Sequence, residues 1–248
     1  MRLEKKGLID RSAPVTFTFN GCTYDGFEGD TLASALLAND VKLVARSFKY
    51  HRPRGIMGAG SEEANALVTI GHGASQDPNV RATVQEVFQG LSARSQNCWP
   101  SLDWDVLSLN DLAAPFLGAG FYYKTFMWPR ALWEKIYEPV IRRSAGIGAL
   151  SADHNADAYE KAFAFCDVLV IGSGPAGLMA ALTAGRAGAD VILAEEDHLM
   201  GGRLNSEVEQ IDGMTSAEWA AQIVMELGQM SNVRLMQRTT VTGAYDQG

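Results

Sequence analysis

The run CDVLVIGSGPAGLMAALTAGRAG, Cys166 to Gly188, limits what this chain can fold into more than any other stretch. CDVLVIG is apolar almost throughout, as a strand buried on both faces of a parallel sheet must be. Gly172, Gly174 and Gly177 then place G-x-G-x-x-G where that strand turns into a helix. ADVILAEE supplies a second buried strand ending on Glu195 and Glu196, about 20 residues further on, where a dinucleotide fingerprint puts its acid. Gly172 permits the tight turn. Gly174 leaves the backbone open to a pyrophosphate, flanked by Ser173, and Gly177 lets helix and strand pack closely. A helix starting near Ala176 aims its unpaired N–H groups and positive dipole end at the phosphates. Small residues at Ala181 and Gly188 allow helix and sheet to approach. Glu195 can accept both hydroxyls of an adenosine ribose, and its charge disfavours a 2′-phosphate. The spacing therefore predicts the N-terminal part of a dinucleotide-binding Rossmann-like domain over residues 164–248.

Two further stretches point at the same ligand. MGGRLNS, Met200 to Ser206, follows the acid closely, and it resembles the second nucleotide contact of flavoproteins with two dinucleotide-binding units. Gly202 would admit backbone to the cofactor, and Arg203 would offer a guanidinium to a phosphate or an adenine edge. The tail VRLMQRTTVTGAYDQG reads as another strand crossing toward the same sheet edge, with Val241 placed to bond adenine through its backbone. NAD and FAD both present ADP to such a turn, so the residues leave the two open.

The N-terminal third has a different grammar. VTFTFNGCTYDGFEGDTL alternates around Asn20-Gly21, a strong hairpin signal. Asp30-Thr31 cap a short apolar-periodic helix, LASALLAND. ALVTIG and ATVQEVFQG read as later strands. Hairpin, helix, loop and strands are the order of a ferredoxin-like β-grasp domain, predicted over 1–97. The loop SFKYHRPRGIMGAGSEEANALVTI has the cadence of one that wraps a [2Fe–2S] cluster. The ligand spacing of plant-type ferredoxins falls on Gly58, Glu63, Ala66 and Thr83, and none offers a thiolate. The expectation is thus an α/β and α+β chain: a β-grasp domain without an Fe–S cluster, followed by the truncated Rossmann-like domain. An aromatic-rich connector joins them over 98–163, its helical pattern broken by Pro129 and Pro139.

Composition narrows the function classes. A net charge of -8 over 248 residues argues against nucleic acid or an anionic membrane surface. The three cysteines, Cys22, Cys98 and Cys166, are too scattered for a zinc site or a disulfide framework. No h-region begins the chain and no long apolar run crosses a bilayer, so a cytoplasmic protein is expected.

Four stretches together, RSFKYHRPRGI, GFYYKTFMWP, YEKAFAFCDVLVIGSGPAGL and GGRL, resemble the α subunits of heterotetrameric sarcosine oxidases. That resemblance implies an oxidoreductase that demethylates sarcosine to glycine with hydrogen peroxide, passing the one-carbon unit to tetrahydrofolate. It implies β, γ and δ partner subunits, FAD on β, FMN at the interface with β, and NAD on this chain. The NAD contacts it implies are Gly172, Ser173, Gly174, Ala176, Gly177, Glu195, Glu196, Gly202, Arg203 and Val241. It assigns no catalytic residue and no metal ligand here, and His51 reads as structural. The alternatives are a self-sufficient FAD- or NAD-dependent oxidoreductase, a related dye-linked amino-acid dehydrogenase subunit, or a bare interaction module.

Overall fold

Asn20 and Gly21 both take positive φ, 50° and 82°, and the turn they make joins β1 (Asp10–Phe19) to β2 (Cys22–Glu28) as an antiparallel hairpin. Thr31 then caps α1 (Leu32–Ala38), its hydroxyl accepting the N–H of Ser34. The helix buries Leu32, Ala33, Ala35 and Leu36. A two-residue pair, β3 (Ala45–Arg46) with β4 (Pro53–Arg54), opens the long loop. β5 (Leu67–Ile70), β6 (Asp77–Arg81) and β7 (Ser92–Ser95) complete a five-stranded sheet in the order β2-β1-β7-β5-β6. Only β1 and β7 run parallel in it. Phe17, Phe19, Leu32, Leu36, Val44, Val68 and Leu91 form its core with α1.

The computed structural model describes residues 2, 7–120, 128–144 and 146–245. Ile9–Ala156 make up the body of one unit, and the chain from Asp157 onward the body of a second. Most of the aromatic run GFYYKTFMWP lies outside the described residues.

Two expectations for the first unit change. ATVQEVFQG is not a strand: it folds as turns over the start of α1, where Leu32 and Ala33 donate N–H bonds to the carbonyls of Gln85 and Ala82. Satisfying the helix's opening N–H groups outweighs the weak alternation of that stretch. Pro139 does not interrupt a helix either. A π-helical segment, Trp133–Tyr137, runs directly into α2 (Glu138–Ser144), so helical backbone continues through Pro139.

The second unit follows the pattern of its glycines. β8 (Val168–Ile171) leads into α3 (Pro175–Arg186), then β9 (Val191–Ala194). A small hairpin, β10 (Gln210–Ile211) with β11 (Met214–Thr215), precedes α4 (Ser216–Gln229) and β12 (Val233–Met236). The sheet is parallel in the order β12-β9-β8. β9, at its centre, is buried at every position. β8, expected to be buried on both faces, instead lies on an edge, with Leu169 49% and Ile171 65% exposed. Leu178, Leu182, Leu193, Trp219, Ile223 and Leu227 pack the core between sheet and helices.

Candidate dinucleotide site

The turn after β8 is built as its sequence demands. Gly172 has φ +89°, a region that only glycine enters without cost. Its N–H donates to the carbonyl of Ala194 at 2.8 Å, which ties the turn to the end of β9. Gly174 is the N-cap of α3 and has no side chain to bond the helix's first N–H groups. Pro175 at the first helical position has no N–H to lose. The N–H groups of Ala176 and Gly177 therefore point out of the helix end, available to a phosphate. Gly177 is the tightest position: a Cβ there would lie 1.9 Å from the carbonyl oxygen of Gly172.

The acid and the second glycine pair converge on this turn. Glu195 is 7% exposed. Its Oε2 accepts the N–H of Ser173 at 2.7 Å and the Ser173 hydroxyl at 2.5 Å, and its Oε1 accepts the N–H of Asp197 at 3.1 Å. The Ser173 hydroxyl in turn accepts the N–H of Gly201 at 2.9 Å. Gly202 lies over the turn, so that a Cβ on it would stand 3.3 Å from the Cα of Gly174. Three donors already occupy a carboxylate with about four acceptor sites. About one acceptor site of Glu195 is left for a further donor such as a ribose hydroxyl.

Other expected contacts lie further out. Glu196 is half-buried beside Glu195, outside this network. The Arg203 side chain is 84% exposed and pairs with Glu207 at 3.1 Å. Val241 lies beyond the end of β12. The chain leading to it is held along the acid loop by bonds from Thr239 N–H to the Glu195 carbonyl and from Arg238 N–H to the Asp197 carbonyl. The residue types of Asp197 and Thr239 did not mark them for this role, because they contribute through backbone atoms.

Two features of the first unit bear on chemistry. His51 is buried, with Nδ1 2.6 Å from Asp105 Oδ2. Asp105 also accepts the N–H groups of Trp99 and Leu107, so the pair braces the loops it joins. In the long loop, Glu63 is buried and bonded entirely to backbone. Among the described residues no group of three or more His, Cys, Asp or Glu is placed to hold a metal ion. No helix among them is long and apolar enough to cross a membrane.

Residues 12–98 match a family described as a 2Fe-2S iron-sulfur cluster binding domain, and residues 167–247 one described as an FAD dependent oxidoreductase. The chain is 62% identical over 245 residues to a sarcosine oxidase subunit alpha of Rhizobium meliloti (strain 1021), covering 99% of this chain and 25% of that protein. It is 34% identical over 242 residues to the subunit of the same name from Corynebacterium sp. (strain U-96), covering 96% of this chain and 20% of that one. The likeness to sarcosine oxidase α subunits read from the four motifs is borne out, over a chain that spans a quarter or less of these relatives. Crystalline L-proline dehydrogenase from P. horikoshii superposes with a TM-score of 0.53 at 21% identity, over 99% of this chain and 36% of that one, and shares its fold.

The first family match corrects two expectations, the cluster-free fold class and the cofactor set without an Fe–S cluster: by its description this family binds one. The expectation generalised from one ligand spacing on one loop to a whole domain, whereas the match rests on the pattern of residues 12–98. The residues at that spacing, Gly58, Glu63, Ala66 and Thr83, do not fit a thiolate-held group, and no step is routed through one.

Proposed function

We propose that this chain holds the ADP end of NAD within an oxidoreductase of the sarcosine oxidase type. The observation that carries the reading is the convergence of Gly172–Gly174, Glu195 and Gly201–Gly202 on one helix N-terminus through the Ser173 hydroxyl. The Gly172 turn and the N–H groups of Ala176 and Gly177 would receive the pyrophosphate. Glu195, with Glu196 beside it, would face the ribose. Gly202, Arg203 and Val241 would border the adenosine. Bound there, NAD would be held rather than turned over, since among the described residues the carboxylate nearest the turn, Glu195, already accepts three hydrogen bonds.

The resemblance extends the proposal to the whole assembly. Sarcosine would be oxidatively demethylated to glycine, oxygen reduced to hydrogen peroxide, and the one-carbon unit passed to tetrahydrofolate. FAD on a β subunit and FMN at the interface with it would supply the redox chemistry, and γ and δ subunits would complete the complex. The proposed domains are a ferredoxin-like β-grasp domain over 1–97, a connector over 98–163 and the dinucleotide unit over 164–248. The free thiols of Cys22, Cys98 and Cys166 suit a cytoplasmic setting.

A second reading places FAD on the Gly172 turn, and the match of residues 167–247 to an FAD dependent oxidoreductase family supports it. The test is to release nucleotide from the purified full-length protein with its partners and identify it by chromatography. One NAD per chain is the expected result. FAD in its place selects the second reading, and no dinucleotide refutes both. Peroxide production from sarcosine by the assembly, and none by this chain alone, tests the assignment of the chemistry.

A further inference from the structure

The long loop of the first unit closes around a side chain of its own. Glu63 is 2% exposed. Its Oε2 accepts the N–H groups of Met57 at 2.6 Å and Gly58 at 2.5 Å, and its Oε1 those of Asn65 at 2.7 Å and Ala66 at 3.2 Å. Successive backbone N–H groups converging in this way form a nest that binds an anion. Two of the donors, Gly58 and Ala66, stand at positions of the ferredoxin ligand spacing. A third such position, Thr83, ties the same loop by donating its hydroxyl to the carbonyl of Gly60 at 2.7 Å. Burial pushes the Glu63 carboxyl up, but the four N–H groups outweigh it and hold the group below the ordinary carboxylate range. Its charge is thus met by backbone dipoles. The other ionisable group of the loop, Glu62, is turned to the N–H groups of Ala59 and Gly60, and the turn after β6 presents the uncharged Thr83.

The loop also forms a wall. A cavity of about 290 Å³ in this unit is lined by Ala64 and Asn65 together with Arg46, Arg54, Gln96 and Asn97. Ala64 lies along the chain between Glu63 and its donor Asn65. We propose that Glu63 is a positioning residue: its carboxylate is the internal anion around which residues 57–66 are built, and it fixes the wall that Ala64 and Asn65 give to this cavity. With that side chain removed, the N–H groups gathered there would donate to a small carboxylate in its place.

Hydrogen exchange on the full-length protein tests this, with Glu63→Ala and Glu63→Gln compared with the parent. In both variants the amides of residues 57–66 should exchange at least tenfold faster, while β1, β2 and the second unit keep their protection. Formate at 100 mM should restore slow exchange to E63A, and chloride at equal ionic strength should not. Unchanged exchange over 57–66 in either variant overturns the proposal. So does equal rescue by formate and chloride, since a loop merely loosened by a lost side chain gains nothing from a carboxylate in particular. Should E63A not fold, E63Q, which keeps the volume, decides alone.

Discussion

Gly174 and Gly177 lie three residues apart in one motif, yet the structure gives them different reasons to be glycine, and substitution by alanine separates them. A Cβ on Gly177 would lie 1.9 Å from the Gly172 carbonyl oxygen, with Val170 Cγ1 a further neighbour at 3.5 Å. The first clash is with backbone, so no rotamer change relieves it, and α3 must move away from the end of β8. Overpacking of this kind costs about 1–3 kcal/mol, and an unyielding partner puts Gly177→Ala near about 3 kcal/mol. In a unit of this size one kilocalorie shifts the unfolding midpoint by about 4–8 °C, so the loss should exceed about 10 °C. Gly174 has φ −62° and nothing within 4 Å of a built Cβ. Gly174→Ala should change stability by less than about 1 kcal/mol, because the gain of about 0.4–1 kcal/mol through the unfolded chain is offset by alanine being a poorer N-cap than glycine. Its methyl group would instead stand where a pyrophosphate must approach, weakening NAD binding about tenfold or more, or about 1.4 kcal/mol. Scanning calorimetry without ligand and titration calorimetry with NAD read the two effects. A G177A protein as stable as its parent, or a G174A protein that binds NAD as the parent does, would refute the assignment of roles.

Glu195→Gln should weaken NAD by about 1–3 kcal/mol, because charge-assisted bonds become neutral, whereas Arg203→Ala, at an exposed side chain paired with Glu207, should change affinity less than about threefold; titration calorimetry ranks the two. Thr215 and Glu218 form a capping box at the start of α4, so Thr215→Ala should cost about 1 kcal/mol, measured by denaturant unfolding. Because the folded pKa of Glu63 is depressed, its contribution is present above the ordinary carboxylate range, about 4.3, and is lost as pH falls through the lower folded value. Exchange protection over residues 57–66, corrected for intrinsic rates, should therefore collapse on the acid side of that range. Protection that is flat with pH would count against it.

The parts of the fold legible in the sequence are those where one residue type is forced. Asn20-Gly21 marked its turn because two consecutive positive φ values leave few other choices. Gly172, Gly174 and Gly177 marked theirs because the approach of α3 to β8 excludes a side chain at Gly177. α4 passed unread although Thr215-x-x-Glu218 before a run with Trp219, Ile223 and Leu227 is a helix-start signal. β6 and β7 were missed in favour of residues 82–90, since short strands of mixed exposure carry little periodicity and the competing stretch was needed to close over α1. In the site, the acid and the two glycine elements were readable as separate motifs. That Ser173 bolts them together was not, because a hydroxyl's partners depend on how β8, β9 and the Gly201 turn meet in space. Arg203 illustrates the opposite failure: a cation in a good position along the chain whose side chain reaches Glu207 instead.

The edge position of β8 has a practical corollary. Among the described residues no strand neighbours its outer backbone groups, and Leu169 and Ile171 stand exposed on it. A bare, apolar edge of this kind is a template for another chain, and purely parallel sheets are ordinarily covered on both faces. In concentrated solution, two copies of the isolated chain can satisfy that edge by laying one β8 against the other. The solubility of the isolated chain would then turn on a four-residue strand adjoining the nucleotide turn.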